Sequence, residues 1–153
     1  MSEHVFTFGD FDVLHVGQIR MLNFAASLGE ELTVALRTDE AMDEQRKERW
    51  FNFEERLEVL SQLRMISFIR ELKEHSPISM LIEMYRVGNG PSVIVDPFHR
   101  LGRFTMSAEL EIAVGAYGGV VVPFDTTHDK AIYWGLRALR NRTKTMKKLR
   151  RRV

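Results

Sequence analysis

The chain has 153 residues, of which 44% are hydrophobic and 28% are charged, a composition typical of one globular domain with one core. It contains no cysteine, which excludes disulfides and thiolate metal sites. No apolar run approaches the ~20 residues that a membrane-spanning helix needs, and the first residues lack the basic-then-apolar build of a signal peptide. These features predict a cytoplasmic protein without a membrane partner.

The net charge of +1 conceals two parts of opposite charge. Residues 137–153 contain nine Lys or Arg and no Asp or Glu, whereas residues 1–136 contain 13 basic and 21 acidic side chains. We therefore divide the chain into an α/β domain over 1–136 and a basic C-terminal helix end or tail over 137–153. The basic part predicts either a solvated terminus or a contact with a polyanion, such as nucleic acid or an acidic partner.

Short apolar runs alternate with amphipathic segments along the chain. The predicted order is strand 5–8, helix 16–28, strand 32–36, helix 53–63, strand 65–69, helix 76–86, strand 92–95, helix 106–117 and strand 120–122, with a last helix beginning at Thr126 or Thr127. Asn52 and Glu55 have the spacing of a capping box at the start of the second helix. Gly29 and Gly118 stand where two helices are expected to end.

Strands that are apolar on both faces and separated by helices predict a parallel sheet that is covered on both sides. The expected fold is α/β and Rossmann-like, with three layers: a five-stranded parallel sheet with helices on both faces. In such folds ligands bind beyond the carboxyl ends of the strands, where the strand order reverses. Functional residues are therefore expected directly after the strands.

The segment after the first strand has the residues of a phosphate site. Gly9 and Gly17 allow the backbone to approach a ligand closely. The helix that begins near Val16 offers main-chain N–H groups and the positive end of its dipole, which together attract phosphate. His15 and Gln18 are three residues apart and are expected on the same side of that helix end.

The run Gly9-Asp10-Phe11-Asp12-Val13-Leu14-His15-Val16-Gly17-Gln18 resembles the G-x-F-D-x-x-H-x-G-H signature of cytidylyltransferases, in particular the small glycerol-3-phosphate cytidylyltransferases. Three later segments resemble the family in the same order. Residues 36–40 match S-T-D-E, residues 46–49 form a basic cluster, and Phe53-Glu54-Glu55-Arg56 matches Y-E-x-R. Arg64 matches a further arginine of the family. The resemblance covers about residues 4 to 70 and is weak afterwards.

The resemblance implies a nucleotidyltransferase that transfers CMP from CTP to a phosphorylated small alcohol or sugar and releases pyrophosphate. It assigns catalytic roles to His15, Gln18, Lys47 and Arg64. Nucleotide-binding residues are expected in the first loop, in the basic cluster and at later strand ends: Phe8, Gly9, Asp10, Phe11, Asp12, Gly17, Arg46, Arg49, Arg56, Asp96, Thr126 and Thr127. Mg²⁺ is expected to accompany the triphosphate, with no metal site formed by the protein alone, and relatives of this size imply a homodimer.

Two departures from the family pattern keep alternatives open. Gln18 replaces the second histidine of the signature, and glutamine can donate a hydrogen bond but cannot become cationic. The family's R-T-x-G-I-S-T segment is absent, and residues 123–128 are its nearest match. One alternative is an ATP-using adenylyltransferase of the same fold. The other is a nucleotide-binding or interaction module that carries the basic tail and has weak or no catalysis.

Overall fold

The computed structural model describes residues 3–45, 48–98 and 107–126. Its elements follow the order β1 (His4–Gly9), α1 (Val16–Ser27), β2 (Glu31–Arg37), α2 (Asp39–Glu44), α3 (Phe53–Ser61), β3 (Phe68–Leu72), α4 (Ile78–Arg86), β4 (Val93–Phe98), α5 (Ser107–Gly115) and β5 (Val120–Asp125). The predicted alternation of strands and helices is confirmed. The predicted last helix and the basic residues 137–153 lie outside the described residues.

The five strands form one parallel sheet in the order β3-β2-β1-β4-β5. The central strand β1 pairs with β2 from His4↔Glu31 to Gly9↔Leu36, and with β4 from Val5↔Val93 to Thr7↔Val95. The chain thus runs outward from β1 to β3, returns to the centre and runs outward again to β5. This reversal places a switch point between β1 and β4, where ligand sites form beyond the carboxyl ends of parallel strands.

Two hydrophobic clusters cover the opposite faces of the sheet. Alternate residues of β1 point to opposite sides, so that Val5 packs in one cluster while Phe6 and Phe8 pack in the other. The first cluster includes Met21, Leu22 and Ala25 of α1 and Leu60 of α3; the second includes Leu81 and Met84 of α4 and Leu110 and Val114 of α5. The three-layer, Rossmann-like architecture predicted from the sequence is confirmed. None of the described helices has the length and apolar composition that crossing a bilayer requires.

Several elements differ from the predicted bounds; β4 and β5, for example, each end three residues later than predicted. The third strand begins at Phe68 rather than at residue 65, because Met65 and Ile66 pack against the core from the preceding turn. Charged residues such as Arg70 and Glu71 fit in this edge strand, because most of its residues are exposed to solvent. Helix α2 was not predicted, because six residues are too few to show a helical period. Thr38 caps it by accepting a hydrogen bond from the Ala41 N–H at 3.2 Å.

Candidate functional site

The loop from Asp10 to His15 joins β1 to α1 at the switch point, and Phe11 sets its shape. Phe11 has a φ of 46°, a left-handed conformation that costs a non-glycine residue about 1 kcal/mol. Burial of its ring in the core offsets that cost, since the side chain is only 5% exposed. A Cβ on Gly9 would lie 3.0 Å from the Phe11 ring. Phe8 and Phe11 are both buried, so any contact of theirs with a nucleotide would come through the main chain.

His15 and Gln18 cap the first turn of α1 reciprocally. His15 Nδ1 accepts the Gly17 N–H at 3.0 Å, and Gln18 Oε1 accepts the His15 N–H at 3.2 Å. In the neutral imidazole Nδ1 is therefore the acceptor, and the ring proton resides on Nε2. The Gln18 side-chain oxygen likewise accepts a hydrogen bond within the helix start, so its amide N–H groups are the ones that it can donate to a ligand. Two donor side chains thus stand at the positive end of a twelve-residue helix.

The end of β5 passes directly over this helix start. A Cβ placed on Gly17 would lie 2.1 Å from the Thr126 carbonyl oxygen, a distance that no side chain tolerates. Thr126 is fixed from β4, because its N–H and its Oγ1 both donate to the Phe98 carbonyl at 2.8 and 3.0 Å. The structure therefore brings Thr126 to Gly17 and His15, which lie far away in the sequence. Thr127 lies outside the described residues.

This approach makes Gly17 sensitive to the smallest substitution. We expect Gly17→Ala to lower the free energy of unfolding by about 2 kcal/mol, because the α1 start and the β5 end must separate to admit the methyl group. Urea denaturation measures the change. Gly115→Ala is the matched control, because nothing lies within 4 Å of its added Cβ and alanine favours the helix that ends there. Equal stability of the two variants would contradict the close approach.

Arg37 contacts the first loop, although no motif of the sequence predicted a role for it. Its guanidinium donates to Asp10 Oδ1 at 2.9 Å and to the His75 carbonyl at 2.9 Å, and lies 5.6 Å from the Phe8 ring centroid. Asp10 is therefore held by an arginine at the end of the neighbouring strand. The signal was present in the sequence, because a basic residue that ends a buried strand needs a partner.

Arg56 is buried beneath the loop and does not face the solvent. Its side chain is 1% exposed and donates to the Asp10 and Arg37 carbonyls and to Asp39 Oδ1, each at 2.8 Å. These contacts join the β1 loop, the end of β2 and the start of α2. All three bonds go to the protein itself. The nucleotide contact predicted for Arg56 stays a prediction.

The segment between α2 and α3 is attached to the same loops. Arg49 pairs with Asp43 at 3.1 Å and with Asp39 at 3.5 Å. The hydrogen bond with Asp43 raises the pKa of Arg49 above its ordinary value. Asp12 accepts the main-chain N–H groups of Trp50 and Phe51. Arg46, predicted to bind the nucleotide, and Lys47, predicted to be catalytic, lie outside the described residues.

Arg64 and Asp96, two further residues predicted to belong to the site, lie near opposite ends of the strands. Arg64 is exposed in the turn between α3 and β3, next to Ser67, whose N–H donates to the Leu32 carbonyl at the start of β2. The amino ends of the strands lie there, whereas His15 follows the carboxyl end of β1, so the structure does not bring Arg64 together with His15. Asp96, in contrast, is buried towards the carboxyl end of β4, beside the switch point.

Comparison of the sequence with known protein families identifies the family of this chain. Residues 6–130 match the family model described as cytidylyltransferase-like. The chain belongs to the cytidylyltransferase-like family. The resemblance predicted from the motifs is thereby confirmed, and the match extends beyond residue 70, where the motifs fade.

Relatives within this nucleotidyltransferase family differ in the nucleotide that their names imply. A glycerol-3-phosphate cytidylyltransferase of Staphylococcus aureus is 34% identical over 67 residues, which is 44% of this chain and 51% of that protein. A D-beta-D-heptose 1-phosphate adenylyltransferase of Bordetella bronchiseptica is 34% identical over 127 residues, which is 79% of this chain and 73% of that protein. The crystal structure of a lipopolysaccharide core biosynthesis protein from Thermoplasma volcanium aligns with a TM-score of 0.66 and 25% identity, over 82% of this chain and 98% of that one.

Proposed function

We propose that this member of the cytidylyltransferase-like family transfers CMP from CTP to the phosphate of a small phosphorylated alcohol or sugar. In this reaction an acceptor phosphate oxygen attacks the α-phosphorus of CTP. A new P–O bond forms, the bond from the α-phosphorus to the bridging oxygen breaks, and pyrophosphate leaves with that electron pair. The observation that carries the proposal is the capped start of α1, where His15 and Gln18 stand at the switch point of the family's fold.

The proposed chemistry needs positioning and charge stabilisation rather than a nucleophilic side chain. His15 donates from Nε2 to a phosphate oxygen, since its Nδ1 already accepts the Gly17 N–H. Gln18 donates from its amide nitrogen, since its oxygen accepts the His15 N–H. The first N–H groups of α1 add their partial positive charge where the phosphates collect negative charge.

Mg²⁺ belongs to the proposal as a companion of the triphosphate, whose negative charge it would neutralise. In the part of the chain that the structure describes, no group of three or more His, Asp or Glu is placed to hold a metal ion. Asp10 is bound to Arg37, and Asp12 to two main-chain N–H groups. We therefore expect the triphosphate oxygens and water to supply most of the ligands of Mg²⁺, as is common at nucleotide sites.

ATP is the second candidate for the nucleotide. The adenylyltransferase of Bordetella bronchiseptica matches 79% of the chain, whereas the cytidylyltransferase of Staphylococcus aureus matches 44% at the same identity. His15, Gln18 and the α1 start would serve either triphosphate, because they are suited to phosphate and not to a base. A homodimer, a cytoplasmic location and a polyanion contact through residues 137–153 stay predictions.

Calorimetric titration separates these proposals. CTP and ATP, each with Mg²⁺, are titrated into the wild type and into His15→Asn. The cytidylyl reaction would be supported if CTP binds tightly and ATP weakly, and if the affinity for CTP falls about tenfold or more in His15→Asn. The reverse preference would support adenylyl transfer. A folded protein that binds neither nucleotide would overturn both and leave the interaction module.

The glutamine of the signature predicts a measurable gain of function. We expect Gln18→His to raise turnover by about five- to tenfold, because a charge-assisted bond to phosphate is worth roughly 1–1.4 kcal/mol more than the neutral bond that the Gln18 amide donates. Gln18→Glu is the matched control: it keeps an oxygen for the His15 N–H but adds a negative charge, so turnover should fall. Both rates are measured as pyrophosphate release, with the same phosphorylated acceptor for each variant. A Gln18→His enzyme no faster than wild type would exclude this explanation of Gln18.

A further inference from the structure

Both oxygens of the Asp12 carboxylate are occupied by a segment distant in the sequence. Oδ2 accepts the Trp50 N–H at 2.8 Å, and Oδ1 accepts the Phe51 N–H at 2.9 Å. The partners are 38 and 39 residues further along the chain. One side chain of the first loop therefore holds two consecutive main-chain groups of the segment between α2 and α3.

The neighbours of Trp50 and Phe51 are held by other contacts. Arg49 pairs with Asp43 of α2. Asn52 caps α3 by accepting the Glu55 N–H at 2.9 Å, while Glu55 Oε1 accepts the Asn52 N–H at 3.3 Å. These contacts are local to α2 and α3. The Asp12 bonds differ from them because they fix the segment to the loop that carries His15.

Apolar burial does little to hold this segment. The Trp50 and Phe51 side chains remain 46% and 43% exposed. Partly exposed rings gain only part of the stabilisation that full burial would supply. Hydrogen bonds from main-chain N–H groups to a carboxylate are about twice as strong as neutral ones. The position of the segment therefore depends on Asp12 more than on its own aromatic rings.

We propose that Asp12 is a positioning residue for nucleotide transfer, which holds residues 49–51 beside the His15 loop so that the triphosphate meets a preformed wall. The inference rests on the proposed function. It replaces the nucleotide contact expected for Asp12, because both carboxylate oxygens already accept main-chain N–H groups. Asp12 is three residues from His15, and the capping bonds of His15 and Gln18 do not include it.

Hydrogen exchange in the nucleotide-free protein tests the tether directly. In Asp12→Ala the Trp50 and Phe51 amides should exchange at least about tenfold faster than in wild type, because both lose their acceptor. Asp12→Asn keeps the shape and one acceptor oxygen, so its exchange should be intermediate. Glu55→Ala is the matched control: it removes a carboxylate from the Asn52 N–H and should leave amides 50 and 51 unchanged.

Steady-state kinetics on the same variants test the positioning role. The KM for the nucleotide should rise about tenfold in Asp12→Ala, while kcat changes less than about threefold, because the His15 cap is intact. Unchanged exchange of amides 50 and 51 in Asp12→Ala would overturn this inference and leave the proposed function standing. A collapse of kcat at constant KM would also overturn it, in favour of a direct catalytic contact. A wild type that turns over no nucleotide would overturn the proposed function and this inference together.

Discussion

Replacement of His15 by asparagine should lower the turnover of nucleotide transfer by about 10²–10³-fold, the range found when one donor to a developing charge is removed. The free energy of unfolding should stay within about 0.5 kcal/mol of wild type, because asparagine is among the best N-cap residues. Its side-chain oxygen can replace Nδ1 as the acceptor of the Gly17 N–H. What asparagine cannot supply is an imidazole donor at the position of Nε2.

His15→Ala separates the two roles of the side chain. Alanine removes the donor and also the N-cap, so turnover should fall as far as in His15→Asn, and stability should fall by about 1 kcal/mol in addition. Pyrophosphate release measures turnover, and urea denaturation of the same preparations measures stability. If His15→Asn kept full turnover while His15→Ala lost it, capping alone would explain the residue. The proposed donor role would then be wrong.

Arg56→Met should lower the free energy of unfolding by about 3 kcal/mol, the lower end of the range for removing one partner of a buried ion pair. Arg56 is fully buried, whereas the Asp39 side chain is 23% exposed and keeps Arg49 at 3.5 Å, which moderates the loss. The Asp10 and Arg37 carbonyls each lose a bond of 2.8 Å. For a chain of this length the midpoint of thermal unfolding should fall by roughly 6–12 °C.

Urea denaturation with an unchanged m-value would assign that loss to the native state. Arg20→Met is the matched control, because Arg20 is exposed on α1, where such a change should stay within about 0.5 kcal/mol. Equal effects of the two substitutions would contradict the role of Arg56 as the link between the β1 loop, β2 and α2. A large loss in Arg56→Met alone would support the link that Arg56 makes between these three segments.

Local features of this protein followed from its sequence. The Asn52 and Glu55 capping box is present as predicted, because both partners lie within one helical turn. The adjacency of His15 and Gln18 followed for the same reason. The alternation of strand and helix, and with it the family of the fold, also depends on patterns that repeat within a few residues of one another.

Tertiary structure alone decided which side chains face the site. The parallel sheet places Arg64 at the amino ends of the strands, and packing buries Arg56 between the β1 loop, the end of β2 and the start of α2. The tertiary structure also brings Thr126 against Gly17 and joins Asp12 to Trp50. Both contacts are between residues that lie far apart in the sequence. Hydrophobic periodicity reports which face of an element is buried, but it carries no information about which elements become neighbours. The motif residues were therefore visible in the sequence, whereas packing decided which of them lie at the start of α1 and which are buried beneath the loops.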